Sequence, residues 1–443
     1  MGFDHILMIG FGGPTRPEEV RPFLQQVTRG VKIPEERLRE VEHHYQRTGG
    51  FSPYNEHALR LFDKLKGNLS TVGVNLPVFI GMRNWHPFLK ETLGEIRQKG
   101  LKNGVGLVLA PHRSPASFEK YLQGLEEAKQ EAQALDLRYD YLRPWYNHPL
   151  FIQAQADQIR KLIGGLDAGE RAATHLLFTA HSIPLEMARR CRYEEEFRES
   201  SRLVAEELEN PSWSVAYQSR SGDPRQPWLE PDLPAAMRQL KEEGKRRILL
   251  VPIGFIFDHT EVLYDLDVEA REEAEALGFE FARASTVMDH PTFIGMFAQL
   301  IKEETMGNEC GSSGASSCSQ PAGGTDKVKA ITKEELKKKI QEGSVQVVNV
   351  LDPKWYELGI IEGSKKIPLK ELDSRAKELD RSKEVVTYCA SYECRASMEA
   401  AEKLAAKGFK VRAYEGGIKE WKEAGLPTEK TEKAGSGSSC CGG

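Results

Sequence analysis

The chain has 443 residues, a net charge of −5, 40% hydrophobic and 29% charged residues. That length predicts two or three domains of about 100–200 residues each, and the composition is ordinary for a globular protein. The mild negative charge argues against a dedicated nucleic-acid binder, whose domains are strongly basic. No apolar run, including Ile248 to Phe257, approaches the roughly 20 residues of a membrane span. The N-terminus, Met-Gly-Phe-Asp-His-Ile, lacks a signal-peptide pattern and the Ser or Thr of a myristoylation signal, so a cytoplasmic location is expected. The cysteines are Cys191, Cys310, Cys318, Cys389, Cys394, Cys440 and Cys441. An odd set clustered late in the chain fits thiol chemistry or metal binding better than a disulfide framework.

In chain order, Ile6–Phe11 predicts a first strand, ended by Gly12-Gly13-Pro14, and the pattern from Glu18 onward is helical. Gly104–Ala110, Thr174–Thr179 and Ile248–Ile256 predict further buried strands, each followed by a loop and a helix. Short apolar runs alternating with amphipathic helices predict an α/β fold with parallel sheets covered on both faces. Functional residues then collect at strand carboxyl ends, here the loops starting at Phe11, Pro111, Ala180 and Phe257. Residues 307–325, GNECGSSGASSCSQPAGGT, are too rich in Gly, Ser and Ala to bury a core. The tail from 434 to 443 has the same character. The expected domains are 1–305, a linker 306–325, a second body 326–431 and a tail 432–443. The second body repeats the α/β grammar. Val345–Val350, Glu384–Tyr388 and Lys410–Tyr414 predict strands, Ala396–Lys407 a helix ended by Gly408, and Trp421 lies in a last helix after Gly416-Gly417. No internal repeat is visible.

His181 and Glu261 both fall near predicted strand ends and can converge. A His and a Glu facing one cleft can hold a divalent cation and can take protons from a nitrogen heterocycle. Glu261, Asp265 and Glu269 follow at i, i+4, i+8, which on a helix puts three carboxylates on one face. Such a face is either simply solvated or a row that passes a hydrated cation inward. His181 alone is equally readable as a structural histidine.

Several segments succeed one another in the order found in ferrochelatases. They are Gly12-Gly13-Pro14, Gly49-Gly50-Phe51-Ser52-Pro53, Gly81-Met82-Arg83-Asn84-Trp85-His86-Pro87-Phe88, Ala110-Pro111-His112 and Thr179-Ala180-His181-Ser182-Ile183-Pro184. Tyr217-Gln218-Ser219-Arg220, Pro252-Ile253-Gly254-Phe255 and Asp258-His259-Thr260-Glu261 complete the series. By these segments the first body resembles that family. The resemblance implies two Rossmann-type subdomains with parallel sheets, insertion of Fe²⁺ into a porphyrin in heme biosynthesis, and an iron donor as partner. It implies His181 as inner metal ligand or proton acceptor, and Glu261 as sharing the metal or taking the second proton. Asp265 and Glu269 match the outer acidic line. The family bends its porphyrin toward a saddle, exposing the nitrogen lone pairs. Phe11 stands where some members carry a Tyr; it cannot coordinate but can stack on the macrocycle. Arg29, Tyr45, Ser52 and Tyr121 are expected around the propionates, the alternative being ordinary loop residues. Residues 221–232 and Tyr264-Asp265-Leu266-Asp267 are similar to coproporphyrin-type members, so coproporphyrin III is expected before protoporphyrin IX. The alternative is a chelatase for Co²⁺, Ni²⁺ or another tetrapyrrole. Some ferrochelatases carry a [2Fe–2S] cluster on cysteines outside the core; Cys310, Cys318, Cys440 and Cys441 offer four thiols, or else form no defined site.

In the second body Cys389 follows a predicted strand and precedes a helix. Backbone N–H groups and a helix N-terminus there favour an anion, hence a nucleophilic thiolate. Val347–Asp352, Gly363, Ile367-Pro368, Tyr388-Cys389, Ser397 with Ala400-Ala401, and Gly416-Gly417 with Trp421 resemble a rhodanese-like domain. This implies a small α/β fold and sulfur transfer through Cys389, with a sulfur donor or acceptor as partner. The sequence departs from that pattern at Gly359-Ile360-Ile361, which has no His. Cys389 and Arg395 also have the C-x5-R spacing of phosphatase or arsenate-reductase-type loops, with Tyr388 in place of their His. Arg395 would contact the substrate, and Cys394 would resolve a persulfide or disulfide. A non-catalytic binding module is the alternative.

Overall fold

A computed structural model of the chain describes residues 2–31, 33–221, 225–306, 329–390, 396–414 and 416–429. The chain divides into two compact units, Met1–Ala315 and Ser316–Gly443.

The first unit holds two four-stranded parallel sheets. One comprises β1 (His5–Gly10), β2 (Val78–Met82), β3 (Asn103–Val108) and β4 (Arg138–Tyr141), in the order β2-β1-β3-β4. The other comprises β5 (Thr174–His181), β6 (Trp213–Gln218), β7 (Arg247–Val251) and β8 (Glu280–Arg283), in the order β6-β5-β7-β8. The two orders are the same, so a repeat absent from the sequence is present in the topology. A repeated crossover needs only buried strands and covering helices, which many unrelated side chains supply.

Strand alternation explains the continuous apolar runs. Ile6 and Met8 enter one core cluster while Leu7 and Ile9 enter another. Leu176 and Phe178 join the first of these, whereas Leu177 turns to a third cluster with Met237, Val262, Leu266 and Ala274. Successive side chains point to opposite faces, and helices cover both. His181 shares its parity, and therefore its face, with Leu177. In each sheet the chain leaves the central strand in opposite directions, which opens a crevice between β1 and β3 and another between β5 and β7. Ligands of open parallel sheets bind at such switch points, beyond the strand carboxyl ends.

The expected strand Ile248–Ile256 is shorter than its apolar run: β7 stops at Val251. Pro252 has no N–H to continue the ladder. The chain turns instead, with Ile253 N donating to Val251 O at 2.8 Å and Gly254 N to Thr179 O at 3.0 Å. Gly254 thus crosses the end of β5 in backbone contact. A Cβ there would lie 2.5 Å from Ala180 Cβ and 2.6 Å from its Cα.

The second unit has a five-stranded parallel sheet, made of β9 (Lys329–Ala330), β10 (Val345–Asn349), β12 (Lys365–Lys366), β13 (Glu384–Tyr388) and β14 (Val411–Tyr414), in the order β12-β10-β13-β14-β9. β11 (Ile360–Ile361) pairs antiparallel with β15 (Thr428–Glu429). Val348 and Val385 face one core cluster, Val347 and Val386 the other.

Gly254→Ala is expected to lower the unfolding free energy by about 1–3 kcal/mol through overpacking, measured by denaturant titration, and to reduce any activity that depends on the loop from 252 to 259.

Candidate functional site

His181 is the last residue of β5, paired across the sheet with Gln218. Its Nδ1 lies 2.5 Å from Ser182 O. A carbonyl only accepts, so Nδ1 carries the proton and Nε2 keeps its lone pair for a metal or a proton. Tyr193 Oη donates to His181 O at 2.9 Å, which holds the strand end in place.

Across the switch point, the loop after β7 leads into the helix Thr260–Tyr264. Glu261 is exposed in its first turn, where the helix dipole favours a carboxylate. His259 precedes this helix and links the two strand ends. Burial pushes its imidazole down, Glu261 and Asp258 pull it back up, and the neighbouring His181 pushes it down again. Three groups from two loops therefore share one field. Sequence reasoning did not single out His259; its signal was adjacency to Glu261 in Asp258-His259-Thr260-Glu261.

The acidic row does not lie on one regular α-helix. The α-helical turn ends at Tyr264, residues Asp265–Glu269 form a π-helix, and α-helix resumes at Ala270. Wide turns of this kind are rare and often sit at functional sites. The row survives the change: Glu261 and Glu269 both act on Asp265. Burial pushes the Asp265 carboxyl up to about 7, with the two glutamate charges adding and hydrogen bonds from Ser219 and Gln218 opposing. Ser219 Oγ donates to Asp265 Oδ2, and Gln218 Nε2 lies 3.5 Å from the same oxygen. Ser219 takes a left-handed conformation, φ 60°, just past β6. Burial also raises Glu269, with Glu272 and Glu40 adding. Among the described residues no three His, Cys, Asp or Glu side chains are gathered as a metal cage; the acids form a line.

The first sheet contributes the other wall. Phe11, just past β1, is half-buried, and its N donates to Tyr54 Oη at 2.8 Å. Phe23 stands edge-on to both Phe11 and Tyr45, at 6.4 Å each. Tyr45 is buried, and its phenol lies against Thr260 and near Glu261. His44 stacks on Tyr264 with centroids 3.7 Å apart, and Tyr54 meets Phe257 edge-on at 5.2 Å. Loops of both sheets thus meet at the acidic segment. Ser52 is buried beside Gly13 and donates its N–H to Pro14 O at 2.8 Å. Tyr121 is buried in the core with its phenol against that of Tyr54, behind Phe11. Arg29 is exposed past the helix Val20–Val27.

In the second unit Cys389 follows β13, fully buried, with Sγ 3.4 Å from Ser397 Oγ in the helix Ala396–Ala406. Its carbonyl accepts from Ile418 N at 2.9 Å. Tyr388, in the place of the phosphatase His, is a core residue: its hydroxyl accepts from Ile361 N at 2.9 Å and pairs with Ser364 Oγ at 3.0 Å. Burial pushes its phenol up to about 12. Cys394 and Arg395 lie outside the described residues, as do Cys310, Cys318, Cys440 and Cys441.

Two four-stranded parallel sheets of the same strand order, with His181 and Glu261 flanking one switch point at strand carboxyl ends, define a doubly wound α/β protein. A ferrochelatase family model matches residues 4–305, and a rhodanese-like domain model matches 332–424. The chain is 39% identical over 302 residues to the ferrochelatase of Rhodopirellula baltica, covering 68% of this chain and 86% of that one. It is 38% identical over 308 residues to the coproporphyrin III ferrochelatase of Mycobacterium leprae, covering 69% and 90%. A rhodanese-related protein from Thermoplasma volcanium is 32% identical over 23% of this chain and 97% of its own, with a TM-score of 0.21. The chain belongs to the ferrochelatase family, whose reaction is insertion of ferrous iron into a porphyrin in heme biosynthesis, and carries a C-terminal rhodanese-like domain. No helix among the described residues is long and apolar enough to cross a membrane.

The raised Asp265 has a stability consequence. Its folded value, about 7, lies above the ordinary carboxylate value of 3.8, so its contribution is present below about pH 4 and lost as pH rises through 7. Asp265→Asn in metal-free protein is expected to raise the melting temperature by at least about 2 °C at pH 8 and by less at pH 5, read by scanning fluorimetry.

Proposed function

We propose that the chain inserts Fe²⁺ into coproporphyrin III, with His181 and Glu261 as the pair that removes the two pyrrole protons. The observation that carries this reading is the lone pair of His181 Nε2, which stands in one electrostatic field with His259 and Glu261 across the β5/β7 switch point. As Fe²⁺ forms its bonds to the four nitrogens, two N–H bonds break. One proton goes to His181 Nε2 and the other to Glu261, and both leave to water. Asp265 and Glu269 pass the hydrated ion along their line. A line of acids suits a substrate ion that must be released, where a closed cage would retain it. Asp265 is most able to receive a cation once ionised, above about pH 7. Phe11 stacks on the macrocycle, and Arg29, Tyr45, Ser52 and Tyr121 belong to the propionate side, the buried ones by supporting the wall. The mycobacterial relative's name supports coproporphyrin III, and protoporphyrin IX is second.

The reading includes a cytoplasmic location, an iron donor, and sulfur transfer by the second unit. There the Cys389 thiolate attacks the sulfane sulfur of a thiosulfate-type donor, the donor's S–S bond breaks with sulfite leaving, and a nucleophilic acceptor takes the outer sulfur as the persulfide S–S bond breaks and the Cys389 thiolate returns. Arg395 binds the substrate anion. The complete burial of Cys389 favours a second reading, a binding module without turnover. Cys310, Cys318, Cys440 and Cys441 are the thiols available to a [2Fe–2S] cluster; no step above depends on one.

Anaerobic mixing with Fe²⁺ and coproporphyrin III should shift the Soret band, faster than with protoporphyrin IX. His181→Ala should reduce turnover at least about 100-fold, the range of a lost acid–base group, with an unchanged circular dichroism spectrum. Full activity in that variant overturns the site.

Thiocyanate formation from thiosulfate and cyanide should disappear in Cys389→Ser. Absence of the product with wild-type protein selects the binding module.

A further inference from the structure

The acidic segment is tied down by a side chain the reaction does not use. Arg283, the last residue of the edge strand β8, has a side chain only 10% exposed. Its guanidinium sits between two carboxylates. Nε and Nη2 donate to Asp267 Oδ1 and Oδ2 at 2.7 and 2.6 Å. Nη1 and Nη2 reach Asp258 Oδ1 and Oδ2 at 3.3 and 3.2 Å. Nη1 also donates to Ala284 O at 3.2 Å. Asp258 Oδ1 accepts in turn from Thr286 Oγ1 at 2.9 Å and from Thr286 N at 3.3 Å.

The places of the two aspartates matter. Asp258 directly precedes His259 and the helix that begins with Thr260 and Glu261. Asp267 is the middle residue of the π-helix Asp265–Glu269. One planar cation therefore holds the entry to the segment and the centre of its wide turn. A five-residue turn is less favourable than regular α-helix. Relaxing it would rotate Asp265 and Glu269 relative to Glu261. A bidentate fork resists that rotation in a way a point charge does not.

We propose that Arg283 is a positioning residue for the iron substrate: by pinning Asp258 and Asp267 it sets the rotation of residues 258–269 and aims Glu261, Asp265 and Glu269 along one path toward His181. The proposal rests on the reading of that row as the iron path. It predicts a larger effect on iron than on the porphyrin, because Asp265 and Glu269 belong to the pinned segment itself, whereas the residues named for the porphyrin wall lie on other segments and Tyr45 touches this one at Thr260, outside the π-helix.

The test is steady-state insertion by full-length Arg283→Lys, varying Fe²⁺ at saturating coproporphyrin III and then the reverse. The expected result is a KM for Fe²⁺ raised at least fivefold, with the porphyrin KM within twofold of wild type. A merely structural role would reduce the folded fraction, and so kcat, while leaving both KM values in place; that outcome, or wild-type kinetics, overturns the proposal. Asp267→Asn keeps the shape of its side chain and leaves the guanidinium paired with Asp258. It should raise the iron KM in the same direction, and serves as the deciding variant where Arg283→Lys does not fold. Wild-type protein that inserts no iron, or His181→Ala that keeps full activity, would defeat the underlying site reading instead, whatever the Arg283 result.

Discussion

Strands buried on both faces have nowhere to put polar chemistry except at their ends. β1 and β5 are sheathed by helices on either side, so their side chains alternate between two apolar clusters along almost their full length. Only where β5 runs out, at His181, does a titratable ring escape the core. The same constraint acts on β7, which Pro252 cuts short. Because the two strands are neighbours on opposite sides of a switch point, their loops must share the same space. His181 and Glu261 flank one switch point for that reason, and not through any local attraction between them.

That shared space concentrates negative charge, and the structure tolerates it in two ways. Asp265 stays largely neutral up to about pH 7 because burial and its glutamate neighbours oppose ionisation. Asp258 and Asp267 are instead neutralised by Arg283. The acids thus divide into a pair, Asp258 and Asp267, that shares the Arg283 guanidinium, and a row in which Glu261 and Glu269 act on Asp265. Burial holds the His259 imidazole below its ordinary value, with Glu261 and Asp258 opposing.

The second unit shows how a familiar loop position can be put to different use. Tyr388 stands where phosphatase or arsenate-reductase-type loops have a His before the Cys, yet its hydroxyl stitches β13 to β11 and Ser364. Ile360 and Ile361 are core residues of the small antiparallel pair. Cys389 is equally buried and faces Ser397. Among the described residues its neighbours are core side chains such as Val348, Val385 and Ala400.

The sequence by itself determined the α/β class and the succession of two bodies, and it offered candidate residues for chemistry. Those features are written locally, in apolar periodicity, in the Gly/Ser-rich stretch and in short motifs such as Thr179-Ala180-His181-Ser182. Only the tertiary structure decided that β5 and β7 flank a switch point, that the acidic row runs through a π-helix, and that Tyr121 lies behind Phe11 against Tyr54. Arg283 had no local signal at all, since its partners lie 16 and 25 positions away. Strand order and long-range ion pairs depend on how buried surfaces are matched across the whole unit, and no window of neighbouring residues contains that information.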